Sequence, residues 1–156
     1  MMRVYLAGYI QGDVLDKCTK WRKDLREHYD KQRETQIEWL DPLSSEDFAE
    51  ISPDGLKGSM PAHTIVHKDY TCVEKCDLIV ANMDIFGQDR PLIGTLSELA
   101  WGWQMHKAIV MITNEPNYKF HPFLEYFTSW IVKDVKTLID KDIIKGFYEA
   151  WHTAKY

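Results

Sequence analysis

A chain of 156 residues is one domain by length and long enough to bury a proper core. Its net charge of −5 argues against nucleic acid as the main partner, and no apolar run has the length that crosses a membrane. Cys18, Cys72 and Cys76 make no disulfide framework, and the first ten residues lack signal-peptide flanks, so a cytoplasmic single domain over residues 1–156 is expected.

Arg3 to Ala7 reads as a buried first strand, broken by Gly8. Asp13 to about Tyr29 reads as an amphipathic helix, because Val14, Cys18, Trp21 and Leu25 recur at helical spacing with Lys and Arg between them. Gln36 to Leu40 is the second strand, stopped by Asp41-Pro42. Strand, helix, strand in that order gives a right-handed crossover and a parallel pair. Residues 41–61 carry Asp, Ser, Gly and Pro throughout and read as a long surface loop, with a turn of helix near Ser45 to Ala49. A loop of that length in a compact domain is either a functional lid or a plain insertion.

Pro61 starts the next helix, which runs to about Lys75. Ala62, Ile65, Val66, Val73 and Cys76 fall in one stripe of its wheel, with Asp69 in the middle. A charged group is rarely buried without a partner. Asp69 is therefore either a satisfied buried acid or an acid facing a cleft, with its pKa raised by burial. His63 and His67 have the spacing of a metal pair. Thr64 stands where a zinc-protease motif has Glu, so two partly exposed histidines are expected, with no metal. Cys72 and Cys76 are expected in core or interface packing.

Asp77 to Asp84 is the clearest strand, apolar in a near-continuous run like a central parallel strand. A loop from Asp84 to Ile93 leads into a helix containing Gly94-Thr95-Leu96-Ser97-Glu98. Glu98 is expected in the first turn of that helix, outside the carboxyl end of a strand, where open α/β sheets bind ligands. Thr95-x-x-Glu98 also fits a capping box. Spacing alone thus leaves two readings of Glu98, a helix cap or a nucleophile or general base. The packing face of this helix is expected to be Leu96, Leu99, Ala100 and Trp103, with Glu98 off it and free to point at the strand ends. Trp101 and Trp103 are expected in core or subunit contacts.

Ala108 to Ile112 is another strand, Asn114 to His121 a loop, Phe123 to Phe127 a short helix and Trp130 to Val132 a last strand. Val135 to Ile139 and Ile144 to Trp151 close the chain as helices. The sum is a single α/β domain, a flavodoxin-like or Rossmann-like doubly wound sheet of about five parallel strands in the order 2-1-3-4-5. Neither Gly-x-Gly-x-x-Gly nor a Walker A sequence is present.

Several short motifs, taken in order, resemble the nucleoside 2-deoxyribosyltransferase family over nearly the whole chain. They are Val4-Tyr5-Leu6-Ala7-Gly8, Asp69 ahead of Cys76-Asp77-Leu78-Ile79-Val80-Ala81-Asn82, Gly94-Thr95-x-x-Glu98-Leu99-Ala100, the strand after Lys107, and Phe147-Tyr148-Glu149-Ala150…Tyr156. The resemblance implies Glu98 as the nucleophile at C1′ of a 2-deoxyribosyl group, Tyr5 as its orienting partner, and Asp69 as general acid and base to the nucleobase. Gly8 and Tyr9 would line the base pocket, Gly94 and Thr95 would complete the substrate site, and the terminal carboxylate of Tyr156 would assist at the base. Deoxynucleosides and free nucleobases would be the substrates, with no cofactor, in a homo-oligomer of at least two chains.

A carboxylate on each side of a sugar is the logic of retaining glycosidases. The chain departs from the family at Leu92, where many members carry Asp, so Asp84 or Asp89 would supply that carboxylate. Arg90 reads either as a bidentate contact to a 5′-phosphate or as a solvated loop residue. Three functions stay open. The first is deoxyribosyl transfer. The second is hydrolysis of deoxynucleosides or their 5′-monophosphates by the same carboxylates. The third is an inert nucleotide-binding or signalling domain in which Glu98 only caps a helix.

Overall fold

The computed structural model describes residues 1–43, 50–52, 55–57 and 60–154. Five strands form one sheet: β1 (Met2–Gly8), β2 (Ile37–Leu40), β5 (Leu78–Asn82), β6 (Ala108–Ile112) and β7 (Trp130–Val132). Their order is β2-β1-β5-β6-β7 and every pairing is parallel, which is the expected 2-1-3-4-5 arrangement of a flavodoxin-like sheet. The helices are α1 (Leu15–Asp30), α2 (Ala62–Lys75), α3 (Ile93–Gln104), α4 (Pro116–Lys119), α5 (Pro122–Phe127), α6 (Val135–Asp140) and α7 (Ile143–Ala154).

Alternation along β1 sorts the core into two layers. Tyr5, Ala7 and Tyr9 face one way, with Ile79, Ala81, Ile109, Val73 of α2 and Leu99 of α3. Val4 and Leu6 face the other, with Trp21 and Leu25 of α1, Leu138 of α6 and Ile144 of α7. One glycine sets how closely α3 approaches. A Cβ at Gly102 would stand 2.3 Å from Ile79 Cδ1, so any larger residue would force that buried side-chain tip to move, and glycine lets the helix lie this close to β5 without it. Glu98, one turn earlier on the same helix, is brought down onto the sheet with it.

The structure differs from the sequence reading at three places. The expected loop 41–61 contains a short antiparallel hairpin, β3 (Glu50–Ser52) and β4 (Gly55–Lys57), in which Ile51 pairs with Leu56. Its first strand lies against a 3-10 turn, Gly12–Val14, which precedes α1. The helical turn expected near Ser45 to Ala49 lies outside the described residues. The expected loop 114–121 contains α4, whose first turn Glu115 caps by accepting from the Asn117 N–H at 3.3 Å. In α2 the apolar stripe is buried only in its second half. Val73 and Cys76 reach the core, while Val66 is 54% exposed.

Candidate active site

β1 and β5 are neighbours whose connections run in opposite directions through the sheet, which makes the crevice beyond their carboxyl ends the switch point. Beneath it, Tyr5 is fully buried and its hydroxyl donates to Glu98 Oε1 at 2.7 Å. Glu98 is 8% exposed. The helix that carries it starts earlier than its cap-like sequence suggests. Leu92 holds the N-cap position with no side-chain hydrogen bond, so Thr95 is inside the first turn and Glu98 falls in the second. The capping box therefore does not form. The buried row of α3 is Thr95, Glu98, Leu99 and Gly102. Trp103, expected in the packing face, is 45% exposed, and Glu98 is in that face rather than off it. The row follows the i, i+3, i+4, i+7 pattern through the small Gly102.

Burial disfavours the charged form of every acid in this region. It pushes Glu98 up to about 8, against the opposing pull of the Tyr5 hydroxyl, while nearby Asp69 adds to the rise. Burial likewise raises Asp69, with Lys68 acting against it. Oδ1 of Asp69 is buried and has no hydrogen-bond partner. Tyr5 is driven well above its ordinary value, first by burial and then by the charge of Glu98. Cys72, one turn beyond Asp69, is half-buried and also raised by burial. Two carboxyl groups with perturbed acidity, one held by a phenol and the other with an unanswered oxygen, are the features of a functional site.

The other predicted residues divide. Gly8 is boxed in, since a Cβ there would meet Trp21 at 3.0 Å, the Asn82 carbonyl at 3.1 Å and Arg22 Nη2 at 3.3 Å. Tyr9 is buried and its hydroxyl donates to Gln11 Oε1. Arg90 is not a solvated loop residue. Its Nη2 donates to the Ile10 carbonyl at 2.7 Å and its guanidinium lies over the Tyr9 ring, 4.9 Å from the centroid. Asp84 and Asp89 are exposed, and Asp84 accepts from the Phe86 N–H at 2.7 Å. Around Gly94 the space a side chain would occupy is open. Thr95 is buried one turn before Glu98. Tyr156 lies outside the described residues. His63 and His67 are exposed with their rings stacked 6.4 Å apart. Among the described residues no group of three His, Cys, Asp or Glu converges on one point.

Sequence reasoning missed Arg22 and Asp41. Arg22 is fully buried in α1 and donates to the carbonyls of Cys18 at 2.6 Å and Gly8 at 3.3 Å. Its Nε is 3.4 Å from Asp41 Oδ1, and Arg26 Nη1 is 3.3 Å from Asp41 Oδ2. The signal was present, because Arg22 follows Cys18 by four residues and so falls inside the apolar stripe.

A cleft of about 930 Å³ opens on the other side of the carboxyl edge, bounded by Trp21, Phe86, Asn117, Tyr118 and Lys133. Glu98 does not line it. Phe86 lines that cleft and packs against both core layers.

Fold and site together define an open α/β domain with a buried two-carboxylate centre at its switch point. No family model and no curated protein matches the chain. Solved structures do. A conserved protein from Enterococcus faecalis superposes with a TM-score of 0.61 at 16% identity, over 90% of this chain and 96% of that one. The Clostridium botulinum CMP N-glycosidase BcmB superposes at 0.53 with 18% identity, over 91% and 98%. A 2-deoxyribosyltransferase from Leishmania mexicana superposes at 0.51 with 18% identity, over 74% of this chain. The chain spans 66% of that protein's length. At these identities the likeness is one of fold.

Proposed function

We propose that this chain is an enzyme of the nucleoside N-glycosidic bond that transfers a 2-deoxyribosyl group between nucleobases through a covalent intermediate on Glu98. The observation that carries this reading is the buried Tyr5–Glu98 hydrogen bond beside Asp69, whose Oδ1 has no partner. That oxygen suits a protonated base nitrogen. Likeness of fold to a deoxyribosyltransferase and to an N-glycosidase supports the same class of bond.

In the first step a Glu98 oxygen attacks C1′. The C1′–N bond breaks, its electron pair goes to the base nitrogen, and protonated Asp69 gives its proton to the leaving base. Burial favours the protonated, proton-donating form of Asp69, and the general-acid contribution is typically ~10²–10⁴ in rate. Burial acts the same way on Glu98, which must lose its proton before it attacks. Ionised Glu98 stabilises the positive charge that develops on the sugar, and the Tyr5 hydroxyl holds the attacking carboxylate in one orientation. In the second step an acceptor base attacks C1′, returns its proton to Asp69 and releases Glu98. The full cycle uses only side chains of the chain and the two substrates.

A second reading is hydrolysis by the same carboxylates, with water as the acceptor. It is favoured by the fuller mutual coverage with the CMP N-glycosidase than with the deoxyribosyltransferase. As partner we propose a second copy of the chain. Trp103, Phe123 and Tyr126 are exposed, and Trp103 and Phe123 both pack on Phe127, forming an aromatic patch on α3 and α5. A dimer or larger assembly is expected by light scattering.

Chromatography of the protein with 2′-deoxynucleosides, their 5′-monophosphates and a different free base tests the function. A new deoxynucleoside, lost in Glu98→Ala, establishes transfer. Free base with 2-deoxyribose or its 5-phosphate, and no exchange product, establishes hydrolysis. No reaction across the panel removes both.

A further inference from the structure

The connections after β1 and β5 lead to helices on opposite faces of the sheet, and such a divergence ordinarily leaves the switch-point crevice open. Here the two loops are tied together across it. Arg90 Nη2, in the loop after β5, donates to the Ile10 carbonyl in the loop after β1 at 2.7 Å. The same guanidinium covers the ring of Tyr9 at 4.9 Å. The Tyr9 hydroxyl donates to Gln11 Oε1, and Gln11 Nε2 reaches Gln88 Oε1 at 3.5 Å. Tyr9 and Gln11 are buried.

Each end of the tie continues into an element that carries a reacting group. Tyr9 shares a face of the β1 segment with Tyr5. Arg90 stands two residues before Leu92, which is 3% exposed and begins the helix of Glu98. Its members are unusually committed for a loop. A guanidinium that both donates to a carbonyl and stacks on an aromatic face is held in one place by two independent interactions. A surface connection is normally the mobile part of a domain, and this one is fastened to the loop after β1 at the carboxyl edge of the sheet.

Resting on the reading of Glu98 as the nucleophile, we propose that this clasp of Arg90, Tyr9, Gln11 and Gln88 keeps water from the glycosylated Glu98 and so decides between transfer and hydrolysis. The two outcomes branch from one intermediate, in which C1′ is bonded to a Glu98 oxygen. An acceptor base nitrogen attacks C1′, the C1′–O electron pair returns to Glu98, and the base gives up its proton to Asp69. Water attacking the same carbon breaks the same bond, gives its proton to the same acid and releases free 2-deoxyribose. The chemistry of the two routes differs only in the acceptor, so the ratio of products reports access to C1′. With the clasp closed over a base already bound beside C1′, that base is the acceptor in reach and loose water is excluded.

The test measures that ratio in the full-length protein, using a 2′-deoxynucleoside donor and a second free base. Arg90→Met removes both the donated hydrogen bond and the cation over Tyr9. We expect the ratio of hydrolysis to transfer to rise about tenfold, which is the effect of losing one charge-assisted hydrogen bond. Arg90→Lys, which keeps a positive donor, restores most of the wild-type ratio. Gln88→Leu, which breaks only the outer bond, shifts the ratio in the same direction and serves if Arg90→Met does not fold. A purely structural role would lower both products together and leave their ratio unchanged. An unchanged ratio in folded Arg90→Met overturns the clasp, as does a wild-type protein that only hydrolyses. Absence of any turnover in the wild type, or full turnover in Glu98→Ala, overturns instead the reading of the site on which the clasp rests.

Discussion

Two groups of buried charge meet near the carboxyl edge of the sheet, and they are balanced differently. On the α1 side, Arg22 and Asp41 are both buried, and each oxygen of Asp41 faces a guanidinium, Arg22 at 3.4 Å and Arg26 at 3.3 Å. On the α2 and α3 side, the charge of half-buried Asp69 adds to the rise of buried Glu98, and among the described residues neither forms an ion pair. A paired buried charge is a structural element that tolerates its desolvation. An unpaired buried acid costs stability, and a fold retains it where chemistry needs the raised acidity. On the proposed function the contrast corresponds to structure at Arg22 and Asp41 and reaction at Glu98 and Asp69.

The largest effect expected from that contrast is on activity. Glu98→Ala should reduce turnover by about 10⁴-fold or more, as removal of a nucleophile does, while circular dichroism shows the native helix content. Comparable turnover in this variant would return Glu98 to a packing role. Asp69→Asn keeps the shape and removes the proton, and base exchange should fall by ~10²–10⁴. A normal rate in that variant takes the acid–base role away from Asp69.

On the balanced side the expected losses are of stability. Arg22→Met leaves Asp41 without its buried partner and should cost about 3–5 kcal/mol in urea unfolding. Adding Asp41→Leu to the same chain should recover a large part of it, since a buried pair can be replaced by apolar side chains. Recovery that fails to appear would break the comparison, because Arg22 would then act through something other than Asp41.

The smallest effect sharpens the cost of the unpaired acid. Folding raises Glu98 from an ordinary value of 4.5 to about 8. Below the lower value both folded and unfolded chains hold the proton. Between the two, only the folded chain holds it, so this group's contribution to stability falls as pH rises through the window. Glu98→Gln cannot ionise and should therefore be more stable than wild type above pH 8, by about 1–2 kcal/mol. That gain should vanish at acid pH below the lower value. A gain independent of pH would place its cause in packing.

Much of this fold was legible because its strands are short apolar runs between turn residues. Ala108–Ile112 and Trp130–Val132 could be located from their apolar runs, as could Leu78–Asn82 within the expected Asp77 to Asp84, and their order is the simplest one for a doubly wound sheet. The hairpin of Glu50–Ser52 and Gly55–Lys57 was not legible, since strands of three residues among Asp, Pro and Gly leave no period to count. At the site, the Tyr5–Glu98 pairing came from the family resemblance and is present as a hydrogen bond, whereas local pattern alone showed only the residue types of Tyr5, Asp69 and Glu98. Thr95-x-x-Glu98 looks like a cap, and only the upstream start at Ile93 moves Glu98 into the second turn. Arg22 is one of several Lys and Arg residues between the apolar positions of its helix, and only its spacing from Cys18 sets it apart locally. Its burial depends on Asp41, which arrives from the end of a strand that local periodicity cannot place beside it.

The most direct measurement is the intact mass of the protein quenched during turnover of a 2′-deoxynucleoside. If Glu98 carries the sugar, the wild-type chain gains the mass of one 2-deoxyribosyl group, peptide mapping places it on Glu98, and Glu98→Ala shows neither adduct nor turnover. Turnover that continues at the wild-type rate in Glu98→Ala, or an adduct mapped to another residue, would contradict the assignment.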